Sequence, residues 1–190
     1  MGRWEPDAAG RLRGAALDLF EEHGFDGTTV EDIASRAGVT KRTFFRHYPD
    51  KREVLFGGDS GQSFVGLFAA GLAAVGPDVP PERALGTALE RAADAFDPGW
   101  EFARRRQGVL MANVSLRERE LVKMEAVTRV LAEGLRDRGV SEPGATVAAE
   151  AGVAVFRTAF TRWVSAPVPG DLVAEIRVVS AALRQVLAGG

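Results

Sequence analysis

The sequence predicts an all-α protein of about nine helices. Three observations carry that expectation. Apolar residues recur at three- and four-residue intervals, as at Leu12, Ala16, Leu19 and Phe20. Glycine and proline gather between such stretches, at HGFDG, AGVT, YPD, PDVPPE, DPG, GVSEPG and APVPGD, where helices stop. Runs of strand type are few, whereas the strong helix formers Ala and Leu are abundant.

Each helix has its own start and stop. The first is expected from about Asp7 to His23, because Pro6 suits a helix start and Gly24 a C-terminal stop. The second is short. Thr28 or Thr29 offers its N-cap, Glu31 and Asp32 suit its first turn, and Val30, Ile33, Ala34 and Ala37 form its apolar side up to Gly38. Thr40 caps the third, which Pro49 ends by about His47. Asp50 caps a fourth beginning at KREVLF, with a kink or frayed turn at GGDSG (57–61). Five more follow: Pro81 to Phe96, Trp100 to Ala112, one capped by Ser115 and running to Arg138, Ala145 to Val164, and a last one ending near Leu187. A boundary is expected near residue 55, between a helix-turn-helix domain (1–55) and a longer helical part (56–190).

Net charge is only −2, but it is unevenly spread. From Arg36 to Arg52 there are six basic residues and one acid, a local +5, which leaves 18 basic and 25 acidic residues elsewhere, or −7. The basic run coincides with two short helices joined at a glycine turn behind a longer helix, the parts of a helix-turn-helix. In such a pair the second helix enters the major groove. At 100° per residue, Phe44 and Tyr48 turn inward toward Ile33 and Leu17. Arg42 and Arg46 project outward together, flanked by Thr43 and Phe45, with Lys41 nearer the rim. Thr40 can offer hydroxyl and backbone N–H to a phosphate, and Lys51 can meet another. A solvated charged face is the ordinary fate of such a run. It explains neither the missing acids from 36 to 49 nor the coincidence with the helix pair. Arginine reads guanine through a bidentate contact to O6 and N7, so Arg42 or Arg46 is expected to favour G·C pairs.

The stretch TTVEDIASRAGVTKRTFFRHYPDKREVLF resembles the DNA-binding domain of the TetR family of bacterial transcription regulators. The features that match are Gly24-Phe25, Thr28-Thr29-Val30, Ile33-Ala34, Ala37-Gly38-Val39, Thr43, the aromatic run Phe44 to Tyr48, and Lys51. The resemblance implies a homodimer on a near-palindromic double-stranded DNA operator, most simply a repressor released by a small lipophilic effector such as an acyl-CoA or a drug-like molecule. It implies DNA contact by Thr29, Thr40, Lys41, Arg42, Thr43, Phe45, Arg46, His47 and Lys51. Two positions depart from the family pattern. Arg42 stands where many members have Gly, and Phe45 where many have Tyr, so Phe45 would pack on sugar or a thymine methyl.

Farther on, Phe96, Trp100, Phe102, Met111, Met124, Phe156, Arg157, Phe160 and Trp163 are expected to line an effector pocket, since aromatic and Met side chains suit a large apolar ligand. Core packing accounts for them as well. Ala148, Gly152, Val155 and Ala159, with Ile176, Val179 and Leu183, are expected at a dimer interface of the last two helices, the family-like arrangement, although packing in the subunit's own core explains them too. Two recognition helices must sit about 34–36 Å apart to read successive major grooves. Arg104, Arg105 and Arg106 cannot share one face; a solvated surface is their ordinary fate, as for Glu21 and Glu22, with contact between one arginine and an anionic ligand group as the alternative.

There is no cysteine, and the two histidines form no metal-ligand spacing. Neither GxxxxGK[ST] nor GxSxG occurs. No metal, cofactor or enzymatic activity is expected. No run approaches the roughly 20 apolar residues of a membrane helix, so the expected location is the cytoplasm, in association with the nucleoid. Two other functions stay open: an all-helical enzyme or carrier using the C-terminal pocket, and a DNA-binding regulator without a small effector.

Overall fold

The computed structural model describes residues 7–57, 63–96 and 98–189. Among these are nine α-helices and no strand: α1 (Ala8–His23), α2 (Val30–Arg36), α3 (Lys41–His47), α4 (Phe64–Ala73), α5 (Pro81–Ala95), α6 (Trp100–Ala112), α7 (Val114–Asp137), α8 (Gly144–Ser165) and α9 (Leu172–Leu187). The expected start at Pro6, the turn residue Asp97 and most of GGDSG lie outside the described residues.

Two corrections concern helix starts. The helix expected at KREVLF is only a single 3-10 turn, Glu53–Leu55, and the next α-helix begins at Phe64. Asp50 does cap the turn, accepting from the Arg52 and Glu53 N–H groups at 2.7 and 3.2 Å. Gly57, at φ 103°, is in a conformation no helix contains. The start of α7 is capped by Asn113 rather than Ser115: its side-chain oxygen accepts from Leu116 N–H at 3.2 Å and from the Ser115 hydroxyl at 2.8 Å.

The chain forms two compact units. One holds the described residues up to Ser63 together with Arg105–Arg117; the other holds Phe64–Arg104 and the chain from Glu118 onward. In the first, Leu12, Leu17, Ile33, Phe44, Tyr48 and Val54 are almost wholly buried. The Tyr48 hydroxyl donates to Ala9 O at 3.2 Å, and the Thr28 hydroxyl donates to Gly24 O at 2.9 Å, so both of these buried hydroxyls are satisfied. Arg105 and Arg106 belong here and are not solvated. Arg105 donates to Glu21 at 3.0 Å and Asp18 at 2.6 Å, while the buried Arg106 donates to Leu55 O at 2.6 Å.

In the second unit α4 lies along α5, and α8 packs on both α5 and α9. Gly71 lets α4 approach closely, since a Cβ there would stand 2.7 Å from the Ala88 carbonyl oxygen. The small-residue stripe of α8 serves this same packing. Gly152 lies against Leu85, and Val155, Ala159 and Ile176 are buried within the subunit's own core. They are thus largely spent on the subunit's own packing. Ala148, Val179 and Leu183 are half-buried against that core. An open groove of about 620 Å³ runs between α5, α8 and α9, floored by Leu85, Gly152, Val155 and Leu183.

Candidate nucleic-acid interface and aromatic cluster

Local chemistry fixes the α2–turn–α3 unit. Thr29 and Asp32 form a reciprocal capping box: the Thr29 hydroxyl accepts from Asp32 N–H at 3.1 Å, and the Asp32 carboxylate accepts from Thr29 N–H at 2.9 Å. The Thr29 and Asp32 side chains also meet at 2.6 Å, which holds the Asp32 carboxyl below its usual range. Helix α2 closes with Gly38 at φ 67°, Gly38 N–H donating to Ser35 O and Val39 N–H to Ala34 O. This paired bonding needs a left-handed residue, which glycine supplies without a Cβ penalty. The Thr40 hydroxyl accepts from Thr43 N–H at 3.1 Å and starts α3, and Tyr48 turns extended ahead of Pro49.

Helix α3 buries Phe44 and leaves Arg42, Phe45 and Arg46 exposed. Phe45 keeps 48% of its surface accessible. His47 is half-buried, its Nε2 enclosed without a hydrogen-bond partner among the described residues.

The six basic residues of the run divide into two groups. Four are engaged within the subunit. Arg36 forks onto both oxygens of Glu22 at 3.0 and 2.8 Å, Lys41 pairs with Glu31, and Arg52 pairs with Asp50 at 3.0 Å. Lys51 turns inward: its ammonium donates to Phe25 O at 2.7 Å and Thr28 O at 2.9 Å, 4.3 Å from the Phe25 ring centroid. Two of its three donors are thus taken by the α1–α2 loop. Hydrogen bonds from Arg36 and Lys41 hold the Glu22 and Glu31 carboxyls below their usual pKa. Arg42 and Arg46 make no ion pair or hydrogen bond among the described residues. Two guanidiniums one helical turn apart thus face outward from a helix that is rigidly capped at its start.

The family of bacterial regulatory proteins, tetR family, matches residues 12–56, which hold most of α1, all of α2 and α3, and the 3-10 turn. Over that segment the chain is similar to the TetR family of regulators. It is 54% identical over 39 residues to the HTH-type transcriptional regulator TcmR of Streptomyces glaucescens, a match covering 20% of this chain and 17% of TcmR. The chain spans less than a third of the length of the first curated relatives it matches. Those relatives are named as transcriptional regulators, not enzymes. Over nearly the whole length the TetR-type fold recurs in solved structures. Thermus thermophilus FadR, a repressor in complex with lauroyl-CoA, is 22% identical with TM-score 0.56, over 95% of this chain and 94% of FadR. NalD of Pseudomonas aeruginosa, the secondary repressor of the MexAB-OprM efflux pump, is 20% identical with TM-score 0.63, over 94% and 95%. At these identities the likeness is one of fold.

In the TetR-type second unit, Phe96, Phe156, Phe160 and Trp163 meet in one aromatic cluster with Phe64 and Phe68; the Phe64–Phe96 and Phe68–Phe156 centroids are 5.0 Å apart. Trp100 joins it by donating to Trp163 O at 3.0 Å. Met124 is buried and Phe102 half-buried. Met111, which belongs to the first unit, is exposed, and Arg157 is exposed on α8. The sequence reading missed the buried Lys123, whose ammonium lies 4.0 Å from the Phe64 ring centroid and 3.0 Å from Glu120. The Phe64/Phe68 spacing of four and the Glu120/Lys123 spacing of three were its available signals. Among the described residues, no helix is long and apolar enough to cross a membrane.

Proposed function

We propose that this chain is a ligand-responsive, dimeric transcriptional regulator that reads operator DNA with α3 and is released from it by a small lipophilic effector. One observation carries the reading: among the described residues, Arg42 and Arg46 project from α3 without internal partners, although every other basic residue of the run has one. Unpaired guanidiniums at one-turn spacing suit bidentate recognition of guanine edges. Thr40, Thr43, Phe45 and His47 would surround them at the groove, with Thr29 and Lys51 holding the helix pair in register.

The subunits would pair through the outer faces of α8 and α9, where Val147, Ala154, Val178 and Ala182 are exposed. The effector would enter among the aromatic side chains of the second unit. Its lipophilic class is supported by the apolar and aromatic side chains gathered there and by the lauroyl-CoA bound to FadR of similar fold. The cytoplasm, near the nucleoid, is where such a protein would act.

In vitro selection from random duplexes tests the reading. The recovered operator should be near-palindromic, with G·C pairs in each half-site. Arg42→Ala or Arg46→Ala should each lose about 1–3 kcal/mol of discrimination at one position. Wild-type selectivity in both variants would refute the assignment of α3 as the reading helix.

A further inference from the structure

We propose that Glu31 is a determinant of DNA selectivity: by pairing with Lys41, it withholds that ammonium from phosphates until α3 is seated on its operator. The inference rests on the reading of α3 as the DNA-contacting helix. Lys41 is the first residue of α3, directly beside Arg42, and of the basic residues on α3 it alone has an acidic partner among the described residues. Glu31 stands in the first turn of α2, where the helix dipole favours a negative charge whether or not Lys41 is present. The hydrogen bond from Lys41 holds its carboxyl ionised.

The two charge pairs across the helix-turn-helix differ in kind. Glu22 and Arg36 meet through two parallel bonds and tie the end of α2 to α1. Glu31 and Lys41 meet through a single one, and their side chains are 60% and 53% exposed. A pair so open to water shifts an equilibrium by no more than about fivefold, so a phosphate can displace the carboxylate. On random DNA the protein is held by loose phosphate contacts. There, nothing brings a phosphate close enough to exchange with Glu31. At the operator, Arg42 and Arg46 fix the helix in the groove, and the neighbouring Lys41 is carried to the backbone. Glu31 therefore costs random complexes one contact that specific complexes recover.

The test measures fluorescence anisotropy of the full-length chain on the selected operator and on a random duplex, across salt concentrations. Glu31→Gln keeps the shape and removes the charge. It should tighten random-DNA binding about two- to fivefold and steepen that salt dependence by about 0.9 in log–log slope, with a smaller change on the operator. Adding Glu31→Gln to Lys41→Met should give no gain over Lys41→Met alone. Unchanged random-DNA affinity and slope in Glu31→Gln would overturn the proposal. An equal gain in the Lys41→Met background would also do so, since Glu31 would then act by repulsion alone. Both residues are exposed, and far-UV circular dichroism checks that the variants fold. A wild-type chain that binds neither duplex at low salt would instead defeat the regulator reading itself.

Discussion

Replacing Lys51 with Met tests whether this lysine is a strut before it is a DNA contact. Its ammonium holds Phe25 O and Thr28 O at 2.7 and 2.9 Å and lies over the Phe25 ring. A hydrogen bond with one charged partner contributes about 1.5–3 kcal/mol, and the low end applies to a half-buried group. Two such bonds give about 3 kcal/mol. The carbonyls regain part of that from water once the ammonium is gone, while Met keeps the packing of the stem. The net expected loss is about 2 kcal/mol, or about 4–8 °C in melting temperature for a chain of this size. Thermal unfolding followed by circular dichroism at fixed pH measures it. A lysine that served only a phosphate would leave the melt unchanged and flatten the salt dependence of DNA binding by about 0.9. A Lys51→Met melt within about 0.5 kcal/mol of wild type would refute the strut.

Two other perturbations probe different parts of the molecule. Val178→Glu, on the exposed face of α9, should leave the fold intact but weaken dimerisation on the order of 100-fold, because two like charges would face each other across a twofold interface; light scattering across a dilution series reads this. Glu22 and Glu31 are held below their usual 4.5, so the unfolded chain binds more protons just beneath that value. The stability they supply is fully present above pH 4.5 and is lost as pH falls through their lowered folded values. Glu22→Gln should therefore flatten the decline in urea midpoint between about pH 5 and pH 3.

What the sequence made legible was mainly local. The Thr40 cap, the left-handed Gly38 and the Pro49 stop each act within a few residues, and α3 begins and ends where they place it. The basic run was equally plain. Which of its charges stay available was not, because Arg36 and Lys41 find their acids 14 and 10 residues away on other helices. Arg105 is a stronger case: it meets Asp18 across 87 positions, whereas three consecutive arginines read alone look solvated. On α8 the spacing of Gly152, Val155 and Ala159 marks a close helix contact, but periodicity does not say whose helix. Here Leu85 of the same subunit fills the space. The 3-10 turn in place of a fourth helix was hidden for another reason. KREVLF carries a helix-compatible pattern, and only the conformation at Gly57 shows how soon it ends.

Since Arg105–Arg117 folds together with the beginning of the chain, the reading head is not a contiguous module. A fragment ending at Ser63 would lack the guanidiniums that grip Asp18, Glu21 and the Leu55 carbonyl, along with the apolar seats filled by Leu110 and Leu116. Transplanting its specificity onto another scaffold therefore means carrying two separated pieces of polypeptide, and a swap made at the obvious seam would leave the graft without its keystone.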